Sequence, residues 1–203
     1  MSEFAASMVD VVYPLVGDGL PRDHRQALAD ALERLLPWLA EHPEAGVHRI
    51  NVVAGTGSQA LLSKRSRLAL RVRREHVGAL ATLEGAVLDV GGHALRLGRP
   101  VLRELLPHGT LYAHLVTTSD EDELEFQAAI DRELDALGVR GRQICGRRQV
   151  VCHDGAELTG FSLMLDGLST ADSIQVLEAG LGRHRRLGCG VFVPHKSAAA
   201  LRA

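Results

Sequence analysis

The sequence predicts an α+β fold of two successive βαββαβ units, a tandem ferredoxin-like (RRM-like) arrangement that closes on a C-terminal glycine-rich loop. Three observations carry this. Period-two apolar runs alternate with period-3.6 apolar stripes, the same order of elements occurs twice without visible sequence identity, and each half holds a strand pair joined by turn-forming glycine. The 203 residues suffice for two units of roughly 100 residues each.

In the first half, Val9, Val11, Tyr13 and Leu15 share one face of an extended segment, a strand in which Tyr13 packs in the core. Asp23 can cap a helix whose Leu28, Leu32, Leu35 and Leu39 form one buried stripe, and Pro37 shortens its end. Trp38, placed on that helix, is expected to pack. His48–Val53 reads as a second strand, 55–58 as a turn, and Arg65–Arg73 as a third strand. A short helix through Val77, Leu80 and Leu83 follows, and the runs 87–90 and 94–97 flank Gly91-Gly92 as a hairpin.

The second half repeats the pattern. Thr110–Thr118 is a strand, and Ser119-x-x-Asp122 opens a helix with Phe126, Ile130, Leu134 and Leu137 on one face, stopped by Gly138. Arg142–Val151 and Glu157–Leu165 pair through Asp154-Gly155, Ser169-x-x-Asp172 caps a second helix, and Val191–Val193 ends the unit. The domains are therefore 1–98, a linker at 99–109 marked by Pro100 and Pro107, and 110–203.

An apolar fraction of 46% and a charged fraction of 24% are those of a soluble globular protein, and no apolar run is long enough to span a bilayer, so a cytoplasmic location without membrane partners is expected. Cys145, Cys152 and Cys189 form no CxxC pair and the histidines no zinc spacing, so neither a structural metal nor a cofactor is expected and the cysteines read as buried.

A net charge of −2 argues against a polyanion partner until its distribution is considered. Lys64, Arg65, Arg67, Arg71, Arg73 and Arg74 form one basic group, Arg140, Arg142, Arg147 and Arg148 a second, while acids gather at 120–135. On the third strand Leu68, Leu70 and Val72 alternate with Arg65, Arg67, Arg71 and Arg73, which places four guanidinium groups on the open face, either as a ligand-binding surface or simply as a solvated one. The tract Gly180-Leu-Gly-Arg-His-Arg-Arg-Leu-Gly-Cys-Gly190 combines glycines that leave amides uncovered with Arg183, Arg185 and Arg186, residue types suited to phosphate. Gly182, Arg183, Arg185, Arg186, Gly188 and Gly190 are thus expected to hold a nucleic-acid backbone. Arg147 and Arg148 lie near the hairpin of the second half. Aromatic residues make up only 3% of the chain, which disfavours base stacking as the main binding mode.

The glycine loop, together with Leu20-Pro21-x-Asp23-His24, Pro37-Trp38-Leu39, Val47-His48-x-Ile50, Leu61-Leu-Ser-Lys-Arg-Ser-Arg67-Leu, Gly91-Gly-His-Ala-Leu95 and Leu111-Tyr112-Ala113, resembles the RAMP superfamily of CRISPR-associated proteins. Within it the chain is most similar to the compact type I endoribonucleases that cut precursor CRISPR RNA within its repeats. The resemblance implies metal-independent attack by the ribose 2′-hydroxyl, leaving a 2′,3′-cyclic phosphate on mature crRNA. It implies His48 as base or acid, with His42 the alternative and His184 a further one. Arg65 and Lys64 become the cationic partners and Ser63 a phosphate donor. Partners would be the repeat stem-loop, the crRNA product and other effector-complex subunits. Two other readings stay open: a non-catalytic RNA-binding subunit of a CRISPR ribonucleoprotein, and a ferredoxin-like small-molecule or metal-binding module.

Overall fold

A computed structural model describes residues 6–119 and 122–196. The chain divides into two units, one of Ser7–Glu104 with Arg186–Gly188, the other of Leu105–Arg185 with the residues from Cys189 onward.

The first unit is organised on β1 (Met8–Val16). Val11, Tyr13 and Leu15 enter the core as their alternation predicts, and the Tyr13 hydroxyl donates to the Leu80 carbonyl at 2.8 Å. After β2 (Gly19–Pro21) comes α1 (Arg25–Leu35), whose N-cap position is His24 rather than Asp23. Leu28 and Leu32 are buried, but Leu35 is 45% exposed and Leu36 takes the next core position. The helix stops before Pro37, which opens a 3-10 turn, Pro37–Glu41, and so moves the apolar stripe by one residue. Trp38 lies in that turn and not on the helix.

Next come β3 (Gly46–Val47), β4 (Val53–Ala54), β5 (Gln59–Leu61) and β6 (Arg67–Arg73). Strand pairing expected over 48–53 thus ends early, although the His48 amide still donates to the Ala69 carbonyl at 2.9 Å. Two 3-10 segments, Arg74–His76 and Gly78–Leu83, replace the expected short helix and bury Leu80 and Leu83. The hairpin of β7 (Val87–Val90) and β8 (His93–Leu97) turns on Gly91 and Gly92, both at positive φ.

The expected linker contains β9 (Val101–Glu104), which pairs antiparallel with β1 from Val9 to Val12. The order β3-β6-β1 with β9 on the other side of β1 is that of a ferredoxin-like unit, to which the β7–β8 hairpin is added at the far end of β1. Pro100 and Pro107 suggested a linker, yet they flank an edge strand, a position where a missing N–H breaks no ladder. A small separate sheet joins β2, β5 and β4.

The second unit runs β10 (Thr110–Val116), α2 (Glu123–Leu137), β11 (Arg142–His153), β12 (Ala156–Asp166), α3 (Thr170–Ala179) and β13 (Val193–Pro194), with sheet order β11-β12-β10-β13. The tandem ferredoxin-like expectation therefore holds. Asp122, not Ser119, caps α2 by accepting from the Leu124 and Glu125 amides, while Ser169 caps α3 as expected. Phe126, Ile130 and Leu134 are buried, and Gly138 ends α2 in the left-handed region. Cys189 is buried, but Cys152 is exposed on the outer strand β11. No helix among the described residues is long and apolar enough to cross a membrane.

The two ends of the glycine loop pack within the second unit rather than leaving their amides open. Gly182 donates its N–H to Glu133 Oε2 at 2.7 Å, and Gly190 donates to the Leu115 carbonyl at 2.8 Å. Both residues have positive φ, and a Cβ on Gly190 would stand 1.9 Å from the Leu181 carbonyl oxygen. Gly190→Ala combines a left-handed non-glycine residue with overpacking, so it should lose about 3 kcal/mol or more of stability. Urea denaturation checks this, as a marked fall in midpoint at unchanged slope.

Candidate active site

Sequence alternation places Asp10 opposite the core side of β1, and the strand register sets it directly across from Arg71. The pair is buried, with side-chain exposures of 6% and 1%. Arg71 Nε donates to Asp10 Oδ1 at 2.7 Å, and a second guanidinium nitrogen donates to Oδ2 at 3.0 Å, a two-pronged grip. His48 Nε2 lies 3.1 Å from the same Oδ1. Burial alone would raise the Asp10 carboxyl, but the hydrogen bonds and charges of His48 and Arg71 overcome it and hold the group well below the usual carboxylate range. An anionic acceptor at Nε2 fixes the proton there and leaves Nδ1 as the lone-pair nitrogen. Burial lowers the His48 imidazole below its ordinary value; Asp10 opposes this, and Arg71 and Arg103 reinforce it.

Arg71 is thus not an open-face RNA contact: it is enclosed and spent on Asp10, the residue the sequence reading passed over. A lone acid in an otherwise apolar strand was the available signal. Arg103 was missed because its segment read as a linker, yet β9 sets it opposite Asp10 on the other side from Arg71.

The basic segment before β6 lies further along the sheet, since Arg67 at the start of β6 is opposite Pro14, four residues along β1 from Asp10. Ser66 Oγ donates to the Asn51 carbonyl at 2.6 Å, three residues past His48, so the two segments run alongside each other. The His48 main chain is level with Ala69, two residues or about 7 Å along β6 from Arg67. Lys64 and Arg65 are exposed, and Ser63 is half-buried with its hydroxyl accepting from the Arg65 amide. Arg67 donates to the Lys64 and Ser66 carbonyls and lines two adjoining grooves. One includes Arg103 with Val12, Pro14 and Leu102; the other includes Ser63 and Lys64. The alternative base, His42, is instead 3.2 Å from Glu44 and in ring contact with Trp38 and His76.

Of the loop arginines, only Arg183 is exposed. Arg185 is buried and donates to the Ala179 and Glu178 carbonyls at the end of α3, where a cation answers the helix C-terminus. Arg186, in the first unit, is ion-paired with Glu33, and beside it Arg25 donates to the Leu187 carbonyl at 2.7 Å. A Cβ on Gly188 would crowd the Val47 carbonyl at 3.0 Å. Gly182, Gly188 and Gly190 are therefore glycines for packing, and Arg185 and Arg186 hold the loop in place. Arg147 and Arg148 are exposed on β11, where a bulge follows Cys145 and Ser162 Oγ accepts from the Arg147 amide at 2.9 Å. His184, at positive φ, contacts Thr117 Oγ1 through Nδ1 at 3.1 Å.

A family model described as Cas6 Crispr matches residues 9–197. The chain belongs to the Cas6 family. A CRISPR-associated endonuclease Cas6 of Myxococcus xanthus (strain DK1622) is 40% identical over 196 residues, covering 96% of this chain and 85% of that protein. Among solved structures, a CRISPR-associated protein Cas6 superposes with TM-score 0.69 at 11% identity, over 93% of this chain and all of the other. Thermus thermophilus Cse3 bound to an RNA representing a pre-cleavage complex gives 0.53 at 13% identity, over 92% and 98%. At such identities these two neighbours establish the Cas6 fold, while the bacterial relative establishes the endonuclease family.

The buried dyad makes a stability prediction. Asp10→Asn leaves the Arg71 charge enclosed without its counter-ion and should lose about 3–5 kcal/mol, whereas Asp10→Leu with Arg71→Met should lose less. Because the Asp10 carboxyl is depressed by folding, its contribution is full above the unfolded pKa near 4 and fades as pH falls through the folded value. Denaturation between about pH 5 and pH 2 should therefore show a steeper acid loss in the wild type than in Asp10→Asn.

Proposed function

We propose that this Cas6-family chain cuts CRISPR repeat RNA without a metal, with His48 as general base. The observation that carries the reading is the part-buried His48–Asp10 contact at 3.1 Å, with Arg103, which faces Asp10 across the sheet, lining a groove together with Arg67. Burial lowers the imidazole, which favours the neutral ring a general base needs over the charged ring of a general acid.

In the proposed step Nδ1 takes the proton from the ribose 2′-hydroxyl. O2′ then bonds to phosphorus in line with the departing O5′, the P–O5′ bond breaks with its electron pair, and O5′ takes a proton from solvent. The products are a 2′,3′-cyclic phosphate and a 5′-hydroxyl. The imidazolium formed lies against the Asp10 carboxylate, which stabilises it as it appears. Arg67, Arg103, Lys64 and Arg65 are the proposed partners of the rising phosphate charge, with Ser63 as a hydroxyl donor. Arg183, Arg147 and Arg148 on the second unit are proposed to hold the stem through its backbone. The repeat stem-loop, the crRNA product and other effector-complex subunits are the partners this reading implies.

Incubation with a repeat hairpin in excess EDTA should give a cyclic-phosphate end. His48→Ala should bind the same RNA and cut it about 10²–10⁴-fold more slowly, and a 2′-deoxy residue at the cut should stop cleavage by the wild type. Tight binding without any cutting by the intact protein would instead favour a non-catalytic RNA-binding subunit, and undiminished cutting by His48→Ala would remove His48 from the mechanism.

A further inference from the structure

A second histidine cluster lies in the first unit, apart from the His48 dyad. His42 and Glu44 flank Pro43 in the connection between the Pro37–Glu41 turn and β3, and His76 ends the 3-10 turn after β6. Pairing of β3 with β6 brings these connections together. One ring nitrogen of each histidine and one carboxylate oxygen of Glu44 lie within 4.8 Å of one another, with His42 Nδ1 and Glu44 Oε1 at 3.2 Å. Ligands around a tetrahedral zinc stand roughly 3.3 Å apart, so a contraction of up to about 1.5 Å completes the set.

The surroundings favour an ion over a simple ion pair. Trp38 stacks on His76 at 5.0 Å and meets His42 edge-on, fixing both rings, while the His42 and His76 centroids are 4.3 Å apart. His76 Nε2 is shielded from solvent without a hydrogen-bond partner, and its nearby carboxylate oxygen, on Glu75, stands 3.7 Å away. With its N–H on the other ring nitrogen, Nε2 carries a lone pair with nothing to meet it, and a cation is a group that would. Arg73 Nε lies 3.2 Å from Glu44 Oε1; its side chain is 49% exposed, so it can orient the carboxylate from outside or move aside.

We propose that His42, Glu44 and His76 form a binding site for a divalent ion of the zinc type, with water as fourth ligand. Two imidazoles and a carboxylate suit that ion, and the partial exposure of His42 and Glu44 leaves a path for entry. The bound ion clips the turn after α1 to the turn after β6. The claim concerns ion binding and is independent of how RNA is cut.

The full chain, stripped with chelator and dialysed, is titrated with Zn²⁺ by calorimetry and with Co²⁺ by visible absorption. The expected result is one equivalent of either ion, the intense band of four-coordinate Co²⁺, and a raised Tm. Affinity should fall about tenfold or more in each of H42A, E44Q and H76Q. No uptake by the wild type, or uptake unchanged in both histidine variants, overturns the proposal. Should a variant fail to fold, the wild-type Co²⁺ spectrum decides, since the weak absorbance of a six-coordinate ion at surface carboxylates would equally overturn it.

Discussion

A single buried carboxylate ties the first unit together. Asp10 sits in the middle strand of the main sheet, receives two bonds from Arg71 on one neighbouring strand, and meets His48 from the segment beyond it. Removing a carboxylate from water is costly, and this site offsets that cost with a guanidinium fork and an imidazole in a fixed geometry. The ring orientation of His48 and the tautomer proposed for it follow from that arrangement. The chemistry proposed for His48 is thus inseparable from a feature that also holds the sheet.

The glycine loop has a related logic. Its positive-φ glycines let the chain fold back within hydrogen-bonding distance of itself, and Glu133, Leu115 and Thr117 take up the amides of Gly182, Gly190 and Arg183. Arg185 answers the last carbonyls of α3. Arg183 is left exposed on a loop tied down by these contacts.

Much of the fold was legible because local rules and tertiary structure agree. The alternation in β1, the apolar stripe of α2, the Ser169 cap and the Asp154-Gly155 turn each have one clear physical solution. The failures are equally specific. β9 is a short edge strand between prolines, and its role comes from pairing with β1, which no local pattern encodes. Alternation in β6 separated the two faces correctly, yet it could not say that the face with Arg71 would be closed and compensated by Asp10. The arginines of the glycine loop looked alike in sequence, and only their distant partners, Glu33 for one and the end of α3 for another, separate them. His48 was reached through family resemblance, while Arg103 and the His42–Glu44–His76 cluster depend on contacts between distant segments.

The central claim is that Asp10 holds His48 as the Nε2–H tautomer, with Nδ1 free to take a proton near neutral pH. Nitrogen-15 NMR of the histidine side chains tests it directly, with His48 assigned by its loss in a substituted protein. The account predicts a neutral ring protonated at Nε2 at pH 7, titrating below about 6.5. A ring protonated at Nδ1, or one that stays charged through neutrality, would contradict it.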